Sequence, residues 1–378
     1  MFKLNGTLFE NLSTDTNKLK PDVLHILRTV TNRNRQHTWK YFKSQAAVVT
    51  SVSGFPNISI AFYGGVLLPD GRVFCVPQGA TQAYIYDPVS GTVTTTSTSF
   101  PGASYAFAGG VLLKDGRVFC IPHNSTTARI YNPVTDTVTT PSPSFPSGVL
   151  VGGVLLPDGR VFIVPRDVTQ AYIYDPVTDT ATTTVAGFPG SQGLSGGVLM
   201  ADGRVFCVPR SSTTARIYDP VTGTVSTPAP AFHSGVSYAF YGGVLLPDGR
   251  VFCVPHNSAS AKIYDPVTDT VFTPSPSFPG SSAYIGGVLL PDGRVFCVPY
   301  QNSQARIYDP VTDTVTTVGG FPGTSSFVGG VLLPDGRVFC VPYDYQQTAR
   351  IVSGPFSSHV NPHQFPMQLA LSGFLNKY

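Results

Sequence analysis

Charge is scarce in this chain of 378 residues: 12% are Asp, Glu, Lys or Arg, where a globular protein carries about a quarter. Glutamate occurs once, at Glu10, and tryptophan once, at Trp39. So little charge, beside 38 Gly and 34 Pro, excludes a coiled coil or a protein of long helices. No apolar run approaches the roughly 18 residues of a membrane span, so none is expected. The opening MFKLNGTLFENLSTD has neither the apolar core nor the small-residue cleavage site of a signal peptide. A net charge of +3 is too small for a nucleic-acid binder working by bulk charge, though a local basic patch stays open. Catalytic signatures are also missing: there is no HExxH, GxSxG, P-loop or dinucleotide fingerprint. Low charge does not mean disorder here, since 25 Phe and 18 Tyr can build a core.

What the chain has is a repeat. The string GGVLLPDGRVFCVP recurs with small changes in seven copies, with its turn glycines at Gly71, Gly116, Gly159, Gly203, Gly249, Gly293 and Gly336. The spacings are 45, 43, 44, 46, 44 and 43 residues. Each copy reads as a meander. A strand runs into the tight turn Pro69-Asp70-Gly71-Arg72, and Val73-Phe74-Cys75-Val76 follows. A third strand of type ARIY ends in an Asp-Pro turn, and a short Thr- and Val-rich strand closes the unit. On this reading the double glycine, Gly64-Gly65, precedes the first strand.

Four short strands per 44 residues, seven times over, predict an all-β chain: a seven-bladed β-propeller of four-stranded antiparallel blades. Its closure is readable. The seventh copy stops at Ala349-Arg350-Ile351-Val352 without its fourth strand, while VVTSVSGFP at 48–56 matches TVTTVGGFP at 314–322. The N-terminal strand is therefore expected to complete the last blade. The divisions are an arm at 1–46, the ring at 47–353 and a tail at 354–378.

The pattern VLLPDGRVF followed by YDPVTDTV resembles the kelch repeat, as found in the central domain of galactose-oxidase-like proteins. The likeness spans about 80% of the chain. It implies a propeller that most often serves as a protein-binding scaffold. The sequence departs from kelch where Val76-Pro77 replaces the usual double glycine and where Val93 stands near the usual tryptophan. The copper site of galactose oxidase would need Tyr and His ligands and a further domain that the sequence does not place. In the arm, LKPDVLHIL followed by WKYF resembles the F-box adaptor unit, which would imply an adaptor helix there.

The repeated polar groups are too numerous for one active site. Asp70, Asp87, Asp175, Asp219, Asp265 and Asp309 read as turn caps, with the arginines Arg72 through Arg337 pairing with them across the blade. Cys75, Cys120, Cys207, Cys253, Cys297 and Cys340 share one register, and Ile163 replaces the cysteine in blade three, so the position wants a small hydrophobe. Unpaired structural thiols are expected, with no metal and no cofactor. They fit an intracellular reducing compartment or the inside of an assembled particle.

Variation concentrates in the loops between the second and third strands. They present His123, Arg166, Arg210, His256, Tyr300, Tyr343 and Tyr345, a candidate binding face. The arm carries eight basic residues against three acidic ones, and Lys18, Lys20, Arg28, Arg33, Arg35, Lys40 and Lys43 are candidate tethers. Helices are expected at 20–31 and 37–44. Together these features predict a non-enzymatic interaction scaffold, or a structural subunit of a large assembly such as a viral particle. Its partners would be proteins or sister subunits, met through the loop face and the arm, with nucleic acid reached through the arm only. The alternatives are a glycan-binding propeller, or a galactose-oxidase-like or lyase-like enzyme with its site near the central channel.

Overall fold

The computed structural model describes residues 2–4, 7–9, 47–101, 105–344 and 348–354. The helices expected at 20–31 and 37–44, the tether residues from Lys18 to Lys43, Tyr345 and the tail beyond 354 lie outside these residues. Two compact units are present, 1–46 and 47–378. The first is described only at Phe2–Leu4 and Thr7–Phe9, a short antiparallel pair.

The second unit holds seven four-stranded antiparallel sheets, each a simple meander. The first blade runs Phe62–Leu67, Val73–Pro77, Tyr84–Tyr86 and Val93–Thr95, from the innermost strand to the outermost. The last blade runs Phe327–Leu332, Val338–Pro342 and Thr348–Ser353, and its outer strand is Val48–Ser53. Val48 pairs with Ser353 and Ser53 with Thr348, so the N-terminal strand closes the ring. Closure by hydrogen bonding removes the free edge that an open array would expose. Among the described residues no helix is long and apolar enough to cross a membrane.

Burial peaks at the second strand of each blade. In every blade the second strand, VFCVP or its variant, is buried at all five positions, because another sheet packs on each face. The outer strands show the exposed-intermediate-exposed alternation of a half-solvated edge, as in Thr137–Thr139. All six cysteines are unpaired and fully buried, and burial pushes their thiols far above the ordinary range.

Neighbouring blades are joined by aromatic stacking. Phe74 stacks on Tyr131 of the next blade at 4.8 Å, Phe119 on Tyr174 at 4.6 Å, Phe162 on Tyr218 at 4.8 Å and Phe206 on Tyr264 at 5.1 Å. Phe252 meets Tyr308 at 5.1 Å, and Phe339 meets Tyr86 at 4.9 Å. Each stack contributes about 0.5–1.5 kcal/mol beyond its buried area. At the remaining junction Phe296 packs in a cluster with Val352, since the last copy ends in Ile-Val rather than Ile-Tyr.

Two expectations need correction. The double glycine lies inside the innermost strand, not before it: Phe62–Leu67 reads FYGGVL, with a bulge between Phe62 and Gly65. The glycines are needed there because the blades approach closely at the axis. A Cβ on Gly287 would lie 2.8 Å from Val244 of the preceding blade. The arginines of the tight turns also pair locally rather than across the blade. Arg72 reaches Asp70 two residues earlier, with Nε at 2.8 Å and Nη2 at 2.7 Å from Oδ2, and six further copies do the same. The Asp-Pro aspartates do cap their turns: Asp87 accepts from the Val89 amide at 2.8 Å, and Asp175, Asp219, Asp265 and Asp309 repeat the bond.

Candidate functional site

Antiparallel alternation puts the Pro-Asp-Gly-Arg and Asp-Pro turns on one face of the ring. The connections after the second strands lie on the other. The residue that follows the terminal proline of each second strand is held there by two backbone bonds. Its amide donates to the linker entering its own blade, as His123 does to Ala106 at 2.8 Å and Tyr343 to Ser326 at 2.8 Å. Its carbonyl accepts from the linker of the next blade, as His256 does from Ala283 at 3.0 Å and Tyr343 from Ala61 at 2.7 Å. With both backbone groups fixed, the side chain can vary without disturbing the fold.

Around the ring this position reads Gln78, His123, Arg166, Arg210, His256, Tyr300 and Tyr343, and all seven line one cavity of about 360 Å³. Six of the seven candidate binding-face residues are therefore brought together; the seventh, Tyr345, lies outside the described residues. Gln78 was not among the candidates. A second set, placed just before the double glycine of the inner strands, was also missed: Tyr63, Ala108, Val151, Tyr241, Ile285 and Val328 line the same cavity. Tyr105 and Tyr238 join from the linkers, both in the left-handed region at φ 62° and 56°. The signal was available, because the residue before the double glycine also differs from copy to copy.

The histidine ring nitrogens have defined roles. His123 Nδ1 donates to the Leu150 carbonyl at 2.6 Å, while Nε2 accepts from Arg166 Nη1 at 3.0 Å. A guanidinium can only donate, so this imidazole is neutral. Arg166 is fully engaged, with Nε on Asp167 at 2.6 Å and Nη2 on the Gly148 carbonyl at 3.0 Å. His256 Nδ1 donates to the Tyr284 carbonyl at 2.9 Å. That bond leaves the lone pair on Nε2. Burial, opposed by the bond to Tyr284, and then the Arg210 charge hold this imidazole below its ordinary range. Its ring sits between Tyr241 at 5.4 Å and Tyr300 at 5.9 Å.

Arg210 lies over the rings of Tyr238 at 4.1 Å and Tyr241 at 5.0 Å. The Tyr63 and Tyr241 hydroxyls meet at 2.6 Å. Burial raises the phenols of Tyr63, Tyr300 and Tyr343 above their usual range, with Tyr241 adding to the effect on Tyr63. Among the described residues no carboxylate lines the cavity. The ligand set of an oxidase copper centre does not fit, because His123 has both ring nitrogens engaged. Nor do three or more His, Cys, Asp or Glu group together among the described residues.

The chain is thus a seven-bladed β-propeller with an ionisable, aromatic pocket on its axis. Neither a family model nor a curated protein sequence matches it. Its fold is similar to that of solved structures. A streptogramin B lyase aligns with a TM-score of 0.69 and 12% identity over 82% of this chain and 98% of that one. A virginiamycin B lyase from Staphylococcus aureus, made catalytically inactive by a histidine-to-alanine change and solved with quinupristin, gives 0.68 and 11% over 81% and 99%. The extracellular domain of a two-component system from B. thetaiotaomicron gives 0.62 and 12% over 79% of this chain and 39% of that one. At such identities the likeness is one of fold.

These findings correct the expectation of a non-enzymatic scaffold or structural subunit. The similar structures include lyases matched over almost their whole length. The variable residues converge on an axial cavity that has the neutral His123 imidazole in its wall, rather than spreading over an outward surface. The same chain geometry turns loop variation inward, which sequence alone could not show.

Proposed function

We propose that the chain is a lyase-type enzyme that cleaves a carbon–oxygen bond by elimination in the axial cavity. The observation that carries this reading is His256: a buried imidazole at the cavity wall, its tautomer fixed through Nδ1 and its Nε2 lone pair without a hydrogen-bond partner among the described residues. Such a nitrogen is suited to remove a proton from a carbon next to a carbonyl. The C–H electron pair becomes the new double bond. The electrons of the C–O bond leave with the oxygen, which takes a proton from a phenol. Tyr300 is placed for that role, as its ring neighbours His256. No water, oxidant or reductant is consumed. Arg210 packs on the same Tyr241 ring that neighbours His256, and its charge can stabilise the developing enolate. The fold also occurs in proteins named as B lyases, which supports a lyase type of reaction.

The test is ultraviolet detection of a carbonyl-conjugated double bond when the protein is mixed with ester and uronate-containing substrates. Product formation by the wild type and its loss in His256→Asn supports the reading. Equal rates in both proteins would defeat it.

A further inference from the structure

Two arginines reach the cavity, and their surroundings differ. Arg166 spends all three nitrogens on Asp167, His123 and Gly148. Arg210 has no carboxylate partner among the described residues, and its one side-chain bond is a long contact to Gln192 at 3.4 Å. Its Nε is buried with no acceptor. A guanidinium held on two aromatic faces keeps its edge of N–H donors free for a planar anion. A buried donor without an acceptor costs about 1–3 kcal/mol, so an incoming acceptor is favoured. The opposite arc of the cavity is neutral. Gln78 is 2% exposed, and its Oε1 is buried without a partner. That atom can only accept, and a ligand hydroxyl would satisfy it. Tyr300 and Tyr343 stand next to one another in the same arc at 5.8 Å.

We infer that the ligand is an acidic sugar of the uronate type, its carboxylate taken by Arg210 and its hydroxyls by Gln78 and the tyrosines. The choice of carboxylate over phosphate rests on the elimination reading. A carboxylate neutralised by a guanidinium acidifies the adjacent C–H, and the ring oxygen substituent one carbon further is the leaving group. A phosphate ester provides no such carbonyl.

The test is titration of the full chain with glucuronate, glucose and inorganic phosphate, followed by calorimetry or ligand-observed NMR. The wild type is expected to bind glucuronate at least 10-fold more tightly than glucose or phosphate. Arg210→Gln should lose that preference and Arg210→Lys should keep part of it, with both variants melting close to wild type. Gln78→Leu should weaken glucuronate and glucose alike. Absence of glucuronate binding, equal binding of all three probes, or an unchanged preference in a folded Arg210→Gln would overturn the inference. Glucuronate preference without any turnover of uronate oligomers would overturn the elimination reading and leave the anion site standing. Turnover of a neutral ester by a wild type that shows no glucuronate preference would do the reverse.

Discussion

The hydroxyl of Tyr63 lies 2.6 Å from that of Tyr241, although the two belong to the first and fifth blades. The bond spans the ring axis and ties opposite innermost strands together inside the cavity. Either residue changed to Phe removes one hydrogen bond, at a cost of about 1 kcal/mol. In urea denaturation the double variant should cost less than the two single changes added together, since both remove the same bond. Strict additivity would show that the two hydroxyls do not interact.

His256 should dominate the pH dependence of turnover. As a base it works unprotonated, and burial holds its imidazole below the ordinary 6.5. Activity is therefore expected to rise with pH through a midpoint below 6.5 and to be level across neutral pH. His256→Asn should lower kcat about 10²–10⁴-fold with a smaller effect on KM. A midpoint above 7, or a loss confined to KM, would assign the residue to binding alone.

Stability should fall on the acid side for a related reason. His123, His233 and His256 are all held below 6.5 in the folded chain, chiefly by burial. His233 accepts backbone amides at Nδ1 from Gly235 at 3.2 Å and Val236 at 3.0 Å, and protonation would break both bonds. The unfolded chain takes up these protons first, so the stabilisation is complete above about 6.5 and is lost as pH falls below it. The check is the melting temperature between pH 8 and 5, where the triple His→Gln variant should show a flatter profile. A wild type whose stability rises on acidification would contradict the assignment.

The inter-blade stacks should carry a large share of ring stability. Phe206→Ala removes a fully buried ring stacked on Tyr264 and should cost about 3–5 kcal/mol in denaturant unfolding. Tyr264→Phe keeps the stack and loses only the bond from its hydroxyl to Asp269 at 3.0 Å, so about 1 kcal/mol is expected. Equal costs for the two would mean that the hydroxyl, not the stack, joins the blades.

Much of this architecture is legible from the repeat. The match between VVTSVSGFP and TVTTVGGFP places Val48–Ser53 beside Thr348–Ser353, and the strands pair there. The site is legible in part. Comparing the copies picks out His123 through Tyr343, because one position varies on an otherwise fixed backbone. Tyr63 and Tyr241 escape because placing the double glycine ahead of the strand leaves them in a linker. The bulge at Phe62–Gly65 instead makes them part of the cavity wall. Direction escapes as well. Loops that vary toward solvent and loops that vary toward an axis look alike in sequence, and only the closed ring distinguishes them. The tautomer of His256 depends on the Tyr284 carbonyl 28 residues away, which no local pattern encodes.

The most direct test of elimination at the axis is the fate of solvent oxygen during cleavage. Uronate oligomers and a neutral ester would be incubated with wild type and with His256→Asn in ¹⁸O-labelled water, and the products weighed by mass spectrometry. Cleavage of at least one substrate by the wild type, without incorporated label and lost in the variant, is the predicted result. Label in the product, the same cleavage by His256→Asn, or no cleavage of either substrate would contradict it.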